Sequence, residues 1–222
     1  MYKRQDVELV CCDVNFSAAE AFRAEHGFDC AHQDFQKMLT VEKPDAVCLN
    51  VPEHLISSIG CQVMQMGFPL LAEKPPGLDL AEIDQLIAAA NSTGVIHQVA
   101  FNRRHAPLMV ELRRMLQGQH IHHIDHQFYR VGRTSYDFSN TAIHAIDSIR
   151  FLAGDFKRLS FQYQEFPPLS KKAPVANFFI NGSTVSGATV NMSISPITGL
   201  NTETTTLHSF DHTCLLYTSR CV

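Results

Sequence analysis

The triplet Glu73-Lys74-Pro75 brings a carboxylate, an ammonium group and a proline together directly after the apolar run 68–72. The run is predicted to be a buried strand, and the proline makes the chain turn at its end. In open parallel α/β sheets, ligands bind at the carboxyl ends of the strands. The triplet is therefore predicted to place Lys74 over a ligand crevice, and a solvated surface turn is the alternative.

Asp13 ends another short apolar run, where the acid that binds the adenosine ribose stands in dinucleotide-binding domains. The alternative is a strand-end aspartate that caps the next turn. A Gly-x-Gly-x-x-Gly loop lies about 20 residues before such an acid, yet the first glycine of this chain is Gly27. We therefore expect the first βα unit to be missing, both ends (1–5 and 214–222) to be adapter-derived rather than native, and NAD to bind this chain weakly.

Four histidines fall within one alternating segment, at positions 120, 122, 123 and 126. On a strand, 120, 122 and 126 share one face and 123 lies on the other. No cluster of cysteines or carboxylates completes a zinc set with these histidines. The pattern favours an edge strand rather than a metal site.

These groups must be positioned by two different kinds of segment. Up to Phe101, short apolar runs alternate with amphipathic stretches, which predicts βαβ units, a parallel sheet and a helix capped by a Ser17–Glu20 box. After Phe101, helices near 106–116 and 141–152 interrupt strand-like runs, which predicts an α+β domain with a mostly antiparallel sheet. The predicted strands are 120–131, 159–166, 176–180, 184–194 and 202–210, with a turn at Asn181-Gly182.

The fold class is therefore an incomplete Rossmann-type α/β domain, residues 1–101, followed by an α+β domain, residues 102–222. The composition and charge of the chain limit the classes of partner that we expect. The 222 residues carry a net charge of -4 and no basic stripe, so nucleic acid is not expected. No apolar run approaches the ~18 residues of a membrane span. Seven cysteines without metal-type spacing favour a reducing cytoplasm.

Together, these motifs resemble those of the Gfo/Idh/MocA oxidoreductases, the glucose–fructose oxidoreductase and inositol dehydrogenase family. The segments that carry the resemblance follow in order and cover nearly the whole chain. They are Val47-Cys48-Leu49-Asn50-Val51-Pro52, Glu73-Lys74-Pro75, Phe101-Asn102-Arg103-Arg104 and Ile143-His144-Ala145-Ile146-Asp147 with Phe151-Leu152-Ala153-Gly154. The chain departs from the family at Val51, where threonine is common, at Ile56, where histidine is common, and at Asn140, where the dehydrogenases often have aspartate.

The resemblance implies hydride transfer between NAD, or NADP, and a hydroxyl of a sugar or cyclitol-like substrate. His144 would take the hydroxyl proton, since imidazole titrates near neutrality, and Lys74 would stabilise alkoxide charge or pass on the proton. Positions 140, 144 and 147 share a helix face, so Asn140 could orient His144 or bind substrate but cannot accept a proton. Asp147 could fix the tautomer of the imidazole or cap a neighbouring helix. The implied cofactor contacts are Asp13, Val51, Pro52, Glu73, Lys74 and Asn102, and the implied substrate contacts are Arg103 and Asp147.

Asp13 without a following arginine favours NAD over NADP, because a 2′-phosphate would face the carboxylate. The resemblance also implies that residues 102–222 are a truncated substrate and oligomerisation domain, and that the full-length protein is a homo-oligomer. Two other interpretations remain open. One is a non-catalytic cofactor-binding regulator, which is supported by Asn140 in place of aspartate and Val51 in place of threonine. The other is an inactive fragment of the enzyme.

Overall fold

The computed structural model describes residues 7–133, 139–166 and 175–219. The chain divides into two compact units, residues 1–100 and 101–222. In the first unit, short strands alternate with helices: β1 (Val10–Cys12), α1 (Phe16–His26), β2 (Cys30–His32), α2 (Phe35–Glu42), β3 (Val47–Leu49), α3 (Glu53–Gln65), β4 (Leu70–Ala72), α4 (Leu80–Thr93) and β5 (His97–Val99).

All strand pairs described in the first unit are parallel. β1 pairs with β2, and β3, β4 and β5 form a second sheet in that order. Each of these strands has only three residues, and β4 uses only the last three positions of the apolar run 68–72. The core between sheet and helices is made of aliphatic side chains that are at most 2 % exposed: Leu39, Ile56, Val63, Met64, Leu70, Ala72 and Leu86.

Side chains cap the starts of α1, α2 and α4, whereas α3 begins after Pro52 without a side-chain cap. Asp34 and Asp79 accept the amide hydrogens of Lys37 and Glu82 and so cap α2 and α4. The predicted Ser17–Glu20 capping box is wrong, because the Asn15 side chain caps α1 two residues earlier. The carboxylate of Glu20 instead binds Arg23 one turn along the helix.

The second unit begins with a 3₁₀ helix (Asn102–His105) and continues with α5 (Pro107–Met115), β6 (Ile121–Tyr129), α6 (Ser139–Ala153), β7 (Phe156–Phe166), β8 (Val175–Thr184), β9 (Thr189–Ser195), β10 (Thr202–Ser209) and β11 (Thr213–Ser219). The six strands form one sheet in the order β11-β10-β6-β9-β8-β7. The β6–β9 pair is parallel and the other four pairs are antiparallel. The predicted fold class, parallel α/β followed by mostly antiparallel α+β, is confirmed.

Three predictions in this unit are wrong. Asn181 and Gly182 lie inside β8, paired on both sides, and the turn comes at residues 185–188. A Cβ on Gly182 would lie 2.0 Å from the carbonyl oxygen of Arg158, so this glycine allows close approach of two strands rather than a turn.

The histidine run does not lie on an edge strand, because β6 is the third of six strands. His126 is buried whereas His122 is exposed. The pairing of β6 with β10 is also irregular, since His208 is opposite His123 and Ser209 is opposite Ile121. Finally, residues 214–219, which were expected to be adapter-derived and therefore outside the fold, are part of β11 and pair along β10. No helix among the described residues is long and apolar enough to span a membrane.

Candidate active site

The carboxyl ends of β3, β4 and β5 bring the residues of the predicted crevice to one edge of the parallel sheet. Glu73 donates its amide hydrogen to the carbonyl of Leu49 (2.9 Å), and Ala100 donates to the carbonyl of Ala72 (2.8 Å). The triplet Glu73-Lys74-Pro75 therefore begins where the central strand stops pairing. Glu73 and Lys74 are half-buried, and Pro75 is buried.

The chain after the triplet is tied to the start of α4. Leu78 donates its amide hydrogen to Oε2 of Glu82 (2.7 Å). A Cβ on Gly77 would lie 2.9 Å from the Cβ of Glu82, so a side chain at position 77 would displace this contact. Within the triplet itself, the Lys74 amide donates to Oε2 of Glu73 (3.2 Å) and the Lys74–Pro75 peptide bond is cis. The backbone that carries Lys74 is thus held at both sides.

Two further predicted cofactor contacts lie at the end of β3. Val51 is half-buried, and Pro52 is exposed and stands at the N-cap position of α3. The side chains of Val51 and Pro52 have no hydrogen-bonding groups, so they can contact a ligand only by packing against it. Asn102, the first residue of the 3₁₀ helix, is exposed.

Asp13 is exposed at the carboxyl end of β1. Its amide hydrogen is donated to the carbonyl of His32 (3.1 Å), and its Oδ1 accepts the amide hydrogen of Asn15 (2.8 Å). The turn-capping alternative is therefore present in the structure. This hydrogen bond uses one carboxylate oxygen and leaves the side chain open to solvent, so ribose binding is compatible with it.

In the second unit, α6 carries the other predicted residues. Ala145 and Ile149 are fully buried and fix one face of the helix against the sheet. His144 is half-buried, and its carbonyl accepts the hydroxyl hydrogen of Ser148 (2.8 Å). Asn140 belongs to the first turn of α6, but its side chain lies outside the described residues.

Asp147 lies one turn after His144 on α6 and is only 3 % exposed. Its carboxylate binds the guanidinium of Arg104 with both oxygens, at 3.0 Å from Nε in each case, and with an additional contact to Nη2. The hydrogen bonds to Asp147 raise the pKa of Arg104. Asp147 therefore joins α6 to the 3₁₀ helix, a role for which its sequence position gave no signal.

Arg103, the other predicted substrate contact, is part of a second ionic cluster. Its guanidinium binds the carboxylate of Glu203, and Nη2 of Arg130 binds the same carboxylate at 3.0 Å. Arg130 also lies 3.6 Å above the ring centroid of Phe128. Arginines that follow a strand are usually exposed to solvent. In this structure only 15 % of the Arg130 side chain is exposed.

His126 lies beneath this cluster and is 1 % exposed. Its Nδ1 is 2.8 Å from the hydroxyl of Thr205. The pKa of His126 is lowered to about 4, mainly by burial; Glu203 opposes this shift, and Arg103 and Arg130 contribute to it. Burial by itself would raise the pKa of Glu203, but Arg103, His126 and Arg130 together outweigh it, and the net direction is downward. His126 is therefore neutral at pH 7 and Glu203 is ionised.

The structure thus groups Val51, Pro52, Glu73 and Lys74 at one sheet edge of the first unit. In the second unit it groups Arg103 with Glu203 and Arg130, and Asp147 with Arg104. Within the described residues, no three histidine, cysteine, aspartate or glutamate side chains are arranged to bind a metal ion. Sequence reasoning missed Glu203 entirely.

Known proteins with similar sequences are sugar dehydrogenases. The D-glucoside 3-dehydrogenase of Escherichia coli (strain K12) is 29 % identical over 104 residues, which are 46 % of this chain and 30 % of that protein. The levoglucosan dehydrogenase of Pseudarthrobacter phenanthrenivorans is 24 % identical over 162 residues, which are 64 % of this chain and 41 % of that protein. The chain therefore spans less than half the length of either relative.

Solved structures share the fold. A levoglucosan dehydrogenase in complex with NADH and levoglucosan has a TM-score of 0.83 at 19 % identity, covering 94 % of this chain and 63 % of the other. The WlbA dehydrogenase from Bordetella pertussis, in complex with NADH and UDP-GlcNAcA, has a TM-score of 0.79 at 19 % identity, covering 95 % and 69 %. Residues 1–101 match the model of an oxidoreductase family with an NAD-binding Rossmann fold. The resemblance seen in the motifs is thereby confirmed: residues 1–101 of this chain match the model of the Gfo/Idh/MocA oxidoreductase family.

Proposed function

We propose that the protein containing this chain transfers a hydride between NAD and a hydroxyl-bearing carbon of a sugar or cyclitol-like substrate. The observation that carries the proposal is the position of Glu73-Lys74-Pro75 at the carboxyl end of the central strand, in a segment that matches an NAD-binding family. Two sequence relatives, named as dehydrogenases of a glucoside and of levoglucosan, support a carbohydrate substrate.

The residues at the strand ends fit a dinucleotide. Asp13 offers an exposed carboxylate for ribose hydroxyls, and its negative charge disfavours the 2′-phosphate of NADP. Val51, Pro52 and Glu73 would line the nicotinamide end together with Lys74, and Asn102 follows the neighbouring strand. When bound, the nicotinamide supplies the site that accepts or donates hydride. The sequence has no Gly-x-Gly-x-x-Gly motif, so no residue of this chain is assigned to the pyrophosphate.

Two side chains of this chain, His144 and Lys74, carry out the proton transfer in this proposal. His144 removes the proton from the substrate hydroxyl, because imidazole changes its charge near neutral pH. Lys74 stabilises the negative charge that develops on the oxygen, and its ammonium can pass on the proton. Asn140 would orient His144 or the substrate by hydrogen bonding. The account requires that both Lys74 and His144 contact one substrate oxygen.

Arg103 and Asp147 have more limited roles in this proposal. Asp147 acts through Arg104, with which it holds the 3₁₀ helix against α6, and Arg103 contacts substrate from its pairing with Glu203. The six described free cysteines and the NAD chemistry support a cytoplasmic location.

A homo-oligomer is part of the same proposal. One face of the six-stranded sheet carries side chains that alternate with the buried ones, and it includes the exposed apolar residues Leu215 (60 %) and Tyr217 (64 %) of β11. A second copy of the chain would cover this face. Sedimentation should give a dimer or larger species that Tyr217→Glu weakens, and a monomeric wild-type protein would contradict this part.

The test of function is a substrate screen that follows the absorbance of the reduced nicotinamide. NAD and NADP are supplied in turn with a panel of pyranoses, glycosides, anhydrosugars and cyclitols. Turnover of at least one member with NAD, and more slowly with NADP, is expected. If NADH binds but no member of the panel reacts, the protein is a cofactor-binding regulator and the proposed function is wrong.

A further inference from the structure

The carboxyl ends of β1 and β2 carry a second acidic residue to which the proposed function assigns no role. Asp13 directly follows β1, and Asp34 lies two residues after β2. Cys12 is paired with His32, and the amide hydrogen of Asp13 is donated to the carbonyl of His32 (3.1 Å). Both acidic residues therefore lie where the same two parallel strands stop pairing.

The two segments that follow these strands are joined to each other. Gln33 donates a side-chain amide hydrogen to the carbonyl of Val14 (3.0 Å). The carboxylate of Asp13 accepts the amide hydrogen of Asn15 (2.8 Å), and the side chain of Asn15 caps α1. The backbone at positions 13 and 34 is therefore held in place by hydrogen bonds within and between the two segments.

Both carboxylates act on the thiol of Cys12, the last residue of β1. Burial raises the pKa of this thiol, and Asp34 and Asp13 each add to the rise. Charges affect a pKa in this way when they lie close to the titrating group. The negative charge of Asp34 is therefore felt at the end of β1, where Asp13 is proposed to bind the ribose.

The two carboxylates are not neutralised by a neighbouring cation within the part of the chain that the structure describes. His32, at the end of β2, binds the carboxylate of Glu42 (2.7 Å). Asp13 and Asp34 are both exposed, and neither has an ion-pair partner among the described residues. An anion that approaches the ends of β1 and β2 therefore meets two negative charges.

Asp34 also changes what the start of α2 offers to an anion. The amide groups at a helix N-terminus carry partial positive charge and attract phosphate. At α2, the carboxylate of Asp34 accepts the amide hydrogen of Lys37 (3.1 Å) and places a negative charge at this position. The start of α2 is therefore less favourable to a phosphate group than a helix start with a neutral cap.

We infer that Asp34 is a second specificity-determining residue of the NAD site, and that with Asp13 it disfavours NADP by repelling the 2′-phosphate. The inference rests on the proposed function in one respect, namely that Asp13 contacts the adenosine ribose. The 2′-phosphate of NADP is attached to this ribose and carries up to about two negative charges. Repulsion between charges acts at a distance, so Asp34 need not touch the cofactor.

Fluorescence titration of NADH and NADPH with the protein that contains this chain tests the inference without requiring turnover. Asp34→Asn removes the charge and keeps a side chain that caps helices well. The Kd for NADPH should fall about three- to fivefold at low salt, the size expected for a carboxylate and a phosphate about 10 Å apart in water. The Kd for NADH should not change, and Asp34→Ser, which is another neutral cap, should give the same result.

Asp79→Asn is the matched control. Asp79 is an exposed aspartate that caps α4 in the same way, by accepting the amide hydrogen of Glu82 (2.9 Å). Because α4 does not follow β1 or β2, the ratio of the two Kd values should equal that of the wild type.

Ionic strength separates repulsion from a structural effect of the substitution. The Debye length falls from about 30 Å at 0.01 M to about 3 Å at 1 M ionic strength. The difference between the wild type and Asp34→Asn should therefore shrink to less than about 1.5-fold at the higher salt concentration.

Three results would overturn the inference: an unchanged ratio of Kd values in Asp34→Asn, an equal change in Asp79→Asn, or a change that persists at high salt. Failure of the proposed function looks different. Asp34→Asn would then still bind NADPH more tightly in a salt-dependent manner, while no sugar or cyclitol is oxidised. If the wild-type protein binds neither nucleotide, the inference fails together with the assignment of the cofactor.

Discussion

The two units of the chain present their charged groups in opposite ways. In the first unit, the charged groups proposed for function follow strand ends, half-buried or exposed, and their resolved contacts are local: Asp13 binds Asn15, and the Lys74 amide binds Glu73. In the second unit, charges from distant parts of the chain are paired in the interior, as in Arg104 with Asp147 and Arg103 with Glu203. The strand-end groups of the first unit are the ones proposed to bind ligands, whereas the distant pairs of the second unit mainly hold elements together.

The largest effect is expected when the two side chains proposed for proton transfer, Lys74 and His144, are removed. Lys74→Ala and His144→Ala should each lower kcat by about 10²–10⁴-fold, the range for loss of a general acid or base. Affinity for NAD should stay within about twofold, since neither residue carries the dinucleotide alone. Initial rates and fluorescence titration of NADH measure the two quantities.

Lys37→Ala is the matched control, because Lys37 is an exposed lysine on α2 away from the strand ends. Wild-type rates are expected for it. Wild-type rates for Lys74→Ala and His144→Ala as well would remove both residues from the mechanism.

A structural rather than ligand-binding role for Asp147 predicts a large loss of stability. Asp147→Ala leaves the guanidinium of Arg104 without its carboxylate, and removing one partner of a fully buried pair costs about 3–5 kcal/mol. Because 36 % of the Arg104 side chain is exposed, water compensates in part, and about 2 kcal/mol is expected. Urea unfolding followed by circular dichroism measures it.

The pair Arg150–Asp155 supplies the control for Asp147→Ala. Its side chains are 49 % and 69 % exposed, so Asp155→Ala should cost less than about 0.5 kcal/mol. Equal losses for the two variants would show that the Arg104–Asp147 pair has no special role in the second unit.

The buried imidazole of His126 predicts a pH dependence. Its pKa is about 4 in the folded protein and about 6.5 in an unfolded chain. Between these values the unfolded state binds the proton and the folded state does not, so stability falls as pH falls from 6.5 towards 4. From pH 7 to pH 5 the loss attributable to His126 is about 2 kcal/mol.

The difference between the wild type and His126→Gln isolates this contribution, because other titrating groups are common to both proteins. Urea midpoints at pH 7 and pH 5 should converge for the two proteins at the lower pH. A constant difference across that interval would mean that His126 can be protonated within the fold.

The smallest expected effect concerns Asp13. Asp13→Asn removes the charge that disfavours a 2′-phosphate and keeps a side chain able to cap the turn at Asn15. The preference for NAD over NADP, measured as the ratio of kcat/KM values, should fall about five- to tenfold. Asp45→Asn, at another exposed position of the first unit, should not change it. An unchanged ratio for Asp13→Asn would leave Asp13 with the capping role alone.

The same contrast explains how much could be predicted from sequence. Glu73-Lys74-Pro75 could be placed at a strand end because the apolar run before it and the proline after it are neighbours in the chain. The Arg103–Glu203 pair joins residues 100 positions apart, and its formation depends on how the 3₁₀ helix packs against β10, for which the sequence carries no local signal. His126 was misjudged for the same reason, since only the strand order puts β6 inside the sheet.

Glycine gave one misleading local signal. Asn181-Gly182 has the composition of a hairpin turn, but Gly182 serves the close approach of β7 to β8, and Thr184 forms the turn with Ser186 and Ala188. A dipeptide that suits a turn also suits a strand where a side chain would collide with the neighbouring backbone. Only the pairing of three strands distinguishes the two.

The most direct test is a crystal structure of the protein that contains this chain, bound to NADH and a sugar that it oxidises. The account predicts that Nζ of Lys74 and a ring nitrogen of His144 both lie within about 3.2 Å of the same substrate oxygen. If the two side chains contact different parts of the ligand, or if either lies beyond reach of that oxygen, the proposed chemistry is contradicted.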